Sequence, residues 1–176
     1  MRLWLVGLIP LALVVAGCAD THHLVRSTGA GQTATLERGG SAYVAVSNDG
    51  RYGNIVYGGS AAMASQAIAS AFGTYLRSIT VSPKPEEFEQ ALQSARSGSF
   101  TYLIYPQILH WEDRATEWSG RPDVASVKVT IVAAKSAQVV DSVVINGKSG
   151  LATFGGDHPQ DLLPKPMADY AASMFR

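Results

Sequence analysis

The chain has one cysteine, Cys18, directly behind an almost wholly apolar run from Leu3 to Ala16. No disulfide can form within one chain, so burial must supply its stability. A positive charge at Arg2, an apolar stretch and the small pair Ala16-Gly17 follow the order of a secretory signal. The run is shorter than the ~20 apolar residues that cross a bilayer, and Pro10 disfavours a lasting anchor helix. Residues 1–17 therefore read as a signal peptide, 18–40 as a cysteine with a flexible tether, and 41–176 as one folded domain.

The tether reading rests on the Thr, Ser, Gly, Gln and Ala of Ala19 to Gly40, with a short strand expected near Ala34 to Leu36. His22 and His23 lie in it without a partner at metal-ligand spacing, so neither metal nor cofactor is expected. The formal net charge of +0 gives no electrostatic reason to expect nucleic acid or attraction to anionic lipid.

Within the domain, "SAYVAVS" alternates as a strand and "NDGRYG" signals a turn. Ser60 to Leu76 repeats apolar residues at helical spacing, with Ser60 as its expected N-cap. "ITVS" reads as a strand closed by Pro83 and Pro85, and Glu86 to Arg96 as an amphipathic helix turning Phe88, Leu92 and Ala95 inward. Phe100 to Leu109, "DVASVKVTIVAA" and "AQVVDSVVING" supply three more strands, and Pro159 to Phe175 a last helix interrupted near Pro164 and Pro166. The order β-α-β-α-β-β-β-α predicts an α+β fold, a mixed sheet with helices packed on one face.

"ILHWEDRATEWSGRPD", Ile108 to Asp123, gathers six charged side chains, two tryptophans and a histidine in a chain only 16% charged. If the strand runs on to Trp118, His110, Glu112, Arg114, Thr116 and Trp118 share one face, with Trp111, Asp113, Ala115 and Glu117 on the other. Glu112 can then pair with Arg114, and Arg114 can reach over Trp118. Asp113 and Glu117 would stand ~13 Å apart along such a strand. A glycosidase carboxylate pair needs about 5 to 9.5 Å, so a regular strand forbids it. A helical turn instead would stack Trp111, Ala115 and Trp118 and bring Asp113 near Glu117. No Ser/His/Asp set, phosphate loop or zinc spacing appears, so no catalytic residue is assigned.

Val15-Ala16-Gly17-Cys18 resembles the lipobox of bacterial lipoproteins. The resemblance implies acylation of Cys18, a periplasm-facing domain in the cell envelope and, with Ala19 rather than aspartate next, the outer membrane. Together with "DGRYGNIVYGGS", "YPQILHWEDRATEWSGRPD" and "DLLPKP", it makes the chain similar to small proteobacterial envelope lipoproteins grouped as a domain of unknown function. That group carries no established activity. The element order is also similar to the small α/β domain of Tol-system and transport-auxiliary periplasmic proteins, a likeness of fold that does not fix function.

Two functions follow from these readings. One is a non-enzymatic module, held to the membrane by its N-terminal lipid, that binds or scaffolds an envelope protein or glycan through Trp111, Glu112, Asp113, Arg114, Thr116, Glu117 and Trp118. The other is a hydrolase or modifier of envelope glycans using the Trp111 to Trp118 region. The same residues suit a structural hairpin, with tryptophans covering a sheet edge and charges deterring edge-to-edge pairing.

Overall fold

A computed structural model describes residues 20–26, 34–114, 121–150 and 158–175. Three long antiparallel strands form its frame: β6 (Tyr102–Glu112), β7 (Val124–Ala133) and β8 (Gln138–Lys148). Before them come β1 (Thr21–Arg26), β2 (Ser41–Val46), a two-stranded hairpin of β3 (Arg51–Tyr52) and β4 (Ile55–Val56), α1 (Ser60–Gly73), β5 (Ser78–Pro85) and α2 (Phe88–Ser97). A 3-10 turn, Pro159–Leu162, leads into α3 (Pro164–Met174). The sheet order is β1-β8-β7-β6-β2-β5, with β2 parallel to both β5 and β6.

The expected mixed sheet with helices packed on it is present, but the helices occupy both faces. Val44, Ile104, Val129 and Ile131 join Ile68 and Phe72 of α1 and Met167 and Tyr170 of α3 in the larger core. Their strand neighbours Tyr43, Ala45, Leu103, Tyr105 and Val132 point the other way, onto Ala91, Leu92 and Ala95 of α2. Connection sense explains the two-sided packing. From β2 through α1 to β5 the chain moves one place outward; from β5 through α2 to β6 it returns past β2. Right-handed crossovers in opposite directions place their helices on opposite faces.

Four local expectations also change. Thr21–Arg26, read as tether, is an edge strand paired antiparallel to β8, and Ala34 to Leu36 forms no strand although Leu36 is buried. The strand at Ile79 does not stop at its prolines but runs to Pro85. Prolines are tolerated because β5 is an edge strand, and an irregularity takes up the slack: β2 advances from Val44 to Val46 while β5 advances from Val81 to Pro85. Ser60 is the first helical residue rather than the cap. The N-cap is Gly59, at φ 86°, and the Asp49 carboxylate accepts the N–H groups of Gly59 at 3.1 Å and Ala61 at 3.0 Å. Ser60 Oγ instead accepts the N–H of Gly50 at 2.8 Å.

The "DGRYG" turn is therefore held by Asp49 and Ser60 against the start of α1. Asp49→Ala should lower stability by about 1–2 kcal/mol, the usual cost of a lost cap, read as a lower urea midpoint with unchanged slope. Gly50 has a different constraint, since a Cβ there would stand 2.5 Å from Trp111 Cβ and 2.9 Å from Ile108 Cγ2. Gly50→Ala should cost about 1–3 kcal/mol by overpacking, with a blue- or red-shifted tryptophan emission reporting the displaced Trp111 ring.

Candidate functional site

The charged stretch begins where β6 breaks its alternation. Ile108 lies opposite Val127 and His110 opposite Ser126, so Leu109 is an extra residue, a β-bulge. Up to Ile108 the even-numbered residues face the larger core; beyond the bulge Trp111 does, opposite the buried Ala125. Trp111 is 2% exposed and packs over Gly50. The same shift keeps His110 and Glu112 off that core.

These two residues meet Arg114 and the β3–β4 hairpin. Glu112 is buried, and its carboxylate takes the Arg114 guanidinium on one oxygen and His110 Nε2, at 2.9 Å, on the other. The guanidinium carbon lies 4.5 Å from the centroid of the Tyr52 ring, and the His110 ring meets the same ring edge-on at 5.2 Å. Arg114 is thus a cation held between a carboxylate and an aromatic face, in which Coulombic and cation–π attraction act together. Behind it, buried Asp123 accepts the Arg114 backbone N–H at 2.6 Å, and its own N–H donates to Ser149 Oγ at 2.8 Å. Asp123 therefore clamps the two ends of the β6–β7 connection to the end of β8. Asp113 faces His158, with 3.3 Å between Oδ2 and Nδ1, linking the strand end to the 3-10 turn.

Of the residues singled out in sequence, the structure brings Glu112 and Arg114 together and sets Asp113 beside them. Trp111 belongs to the core and not to an exposed face. β6 ends at Glu112, short of the expected Trp118. Thr116, Glu117 and Trp118 lie outside the described residues, as does Cys18. Among the described residues Arg114 has Tyr52 as an aromatic partner, and the expected contact with Trp118 lies outside them. The glycan-hydrolase reading of the Trp111 to Trp118 region draws no support from its described residues, since Trp111 is buried in the core and Glu112 is engaged by Arg114 and His110. His22 and His23 are consecutive on β1, paired to Gly147 and Asn146, and so point to opposite sheet faces. Among the described residues no group of three or more His, Cys, Asp and Glu could hold a metal, and no helix is long and apolar enough to cross a membrane.

Sequence reasoning did not link Tyr52 or Asp123 to Arg114. Tyr52 lies some sixty positions before its partners, roughly, and no periodicity links it to them. The clues are its place in the motif "DGRYG" and its spacing with Tyr43 and Tyr57, which suits tyrosines lining one end of a sheet. Around it the hairpin leaves Tyr52, Ile55 and Val56 exposed at 40%, 56% and 51%, and Leu109 at the bulge is exposed at 55%.

A second polar cluster is structural. Tyr170 Oη donates to the buried Asp141 carboxylate at 2.9 Å, and Arg26 Nε lies 3.9 Å from the same carboxylate. Burial pushes the Tyr170 hydroxyl far above its ordinary range, and the Asp141 charge adds to it. On the other face, Glu86 accepts from Tyr43 at 2.7 Å and Ser94 at 2.8 Å. Burial opposes its ionisation, but these hydroxyls more than offset that and hold its carboxyl below the usual value.

No curated protein matches the chain by sequence. Among solved structures, the fold is similar to the PelC dodecamer from Paraburkholderia phytofirmans, with a TM-score of 0.66 and 14% identity over 89% of this chain and 99% of that one. It is also similar to protein XCC0632 from Xanthomonas campestris, at a TM-score of 0.51 and 10% identity over 80% and 88% of the two chains. Lipoprotein GNA1162 from Neisseria meningitidis gives a TM-score of 0.50 and 13% identity over 76% and 98%. At these identities the likeness is one of fold. A family model described as "Domain of unknown function (DUF4823)" matches residues 34–174, most of the chain, and the protein belongs to that family.

Proposed function

We propose that this protein is a lipoprotein of the bacterial cell envelope, acylated on Cys18 and facing the periplasm, whose domain binds or scaffolds an envelope partner without chemical turnover. The lipobox-like Val15-Ala16-Gly17-Cys18 supports the anchor, and Ala19 supports the outer membrane. The binding face is centred on Arg114. One observation carries it: Arg114, part-buried between Glu112 and the Tyr52 ring, lies beside a hairpin that exposes Ile55 and Val56. An oriented arginine next to an exposed aromatic and aliphatic residues is the composition of interface hot spots. The lipoprotein among the similar folds agrees with the anchored reading.

Cys18→Ala should abolish labelling by a radioactive fatty acid and leave the precursor at its full length on a denaturing gel. Labelling that persists in this variant would remove the basis for anchoring.

The face is tested by variants that separate folding from contact. Tyr52→Ala leaves Glu112 paired, so it should cost at most about 1 kcal/mol of stability. It should nevertheless weaken partner capture from envelope extracts by about 2 kcal/mol, roughly thirtyfold. Arg114→Ala leaves a buried carboxylate short of its cation and should cost about 1–3 kcal/mol of stability. Trp111→Ala should cost about 3–5 kcal/mol, as for other buried aromatic truncations. Capture that survives Tyr52→Ala at full strength would refute this face.

A further inference from the structure

Only Ala19 separates Cys18 from a residue fixed to the sheet. Asp20 Oδ1 accepts the N–H of Gly150 at 3.0 Å. From Thr21 onward β1 pairs residue by residue with β8, Thr21 opposite Lys148 and Arg26 opposite Val143. The other end of β1 is held by Arg26, which donates to Ser173 Oγ and lies 5.6 Å over the Tyr170 ring. The step from Cys18 to Asp20 spans at most about 7 Å. Register then carries the position of Thr21 across the sheet, to Lys148, to Val124 and to Glu112. The sheet end from which Cys18 springs is therefore the end that bears Asp113, Arg114 and the ring of Tyr52.

We infer that this sheet end is held against the headgroup layer of the bilayer that carries the Cys18 lipid, making the Arg114–Tyr52 face a membrane-proximal surface. The inference rests on the acylation proposed above. Acyl chains in the hydrocarbon bring the Cys18 backbone to headgroup level, and a reach of about 7 Å gives the domain no room to stand off. Charge does not do this. Among the described residues at this end, Asp20, Glu112, Asp113 and Asp123 are set against Lys148, Arg121 and Arg114, so no single sign dominates. The short connection holds the surface there, and anionic lipid is not required. A partner that recognises Tyr52 and Arg114 meets them at the membrane surface. The β7–β8 turn, with Lys135, stands at the opposite end, about 33 Å away by the rise of the 10-residue strand β7.

The test uses the full chain, purified with its native acylation and reconstituted in vesicles of phosphatidylcholine alone. With Cys18 blocked by its lipid, Lys148→Cys and Lys135→Cys each offer one free thiol for a fluorescent probe. A nitroxide on the lipid headgroup should quench the probe at 148 strongly and the probe at 135 hardly at all. Adding anionic lipid should leave both values unchanged. Protein that floats with the vesicles but shows equal quenching at the two sites, or none at 148, overturns this inference and leaves the anchor standing. Protein that does not float overturns the anchor, and this inference with it.

Discussion

Strands β2 and β6 are covered on both faces, and the rest of the architecture answers that constraint. All six residues of Ser41–Val46 are buried, as are Tyr102 to Pro106 at the start of β6. Alternate side chains point to opposite faces, so such a run needs an apolar layer on each. The chain supplies α1 and α3 to one and α2 to the other. The two reversed crossovers satisfy handedness and burial together. Near-continuous apolar composition in "SAYVAV" and "YLIYP" was the available sign that one face would not suffice. Ser126, Lys128 and Thr130 of β7 and Ser142 and Asn146 of β8, on the face away from the larger core, pointed instead to one-sided packing.

The bulge at Leu109 turns this frame into a candidate site. Without it, His110 and Glu112 would point into the larger core, and Trp111 would point out. One inserted residue reverses the assignment, burying the indole over Gly50 and aiming an acid and an imidazole at Tyr52. The buried carboxylate of Glu112 is then tolerable because Arg114 and His110 both meet it. The hairpin, the bulge and the Asp123 clamp thus depend on one another, which gives a structural reason for the motifs "DGRYG" and "WEDR" in a single chain.

Much of the fold was legible. Helices at Ser60 and Phe88, and the three long strands, follow from periodicity, which local composition carries directly. The strand in the supposed tether was not. "THHLVR" is polar, and its two histidines suggest solvent, yet it pairs along six residues because β8 would otherwise present an open edge. Contacts between distant segments were equally hidden. The pairing of Glu112 with Arg114 is local and was visible from spacing. The Tyr52 ring, the Asp49 cap on α1 and the Asp123 clamp each join segments that only the folded sheet brings together.

The pairing of β1 with β8 also changes what an N-terminal anchor means for this domain. A flexible tether of twenty-odd residues, roughly, would let every face sample the periplasm and would leave orientation undetermined. A strand that begins at Thr21, tied down by Asp20 at one end and Arg26 at the other, fixes the chain from Asp20 onward to the whole sheet. β6, β7 and β8 then run as one antiparallel ribbon from the Glu112 end to the Lys135 turn, so the two ends stand at a fixed separation. At the far end Glu37, Arg96, Thr101, Tyr102 and Lys135 line a groove. With Cys18 acylated, the Arg114–Tyr52 face is available to what lies in or on the membrane, and the groove to what lies beyond it. On the anchor proposed for Cys18, this rigid sheet would sort its contacts by height above the bilayer, which a freely tethered domain could not do.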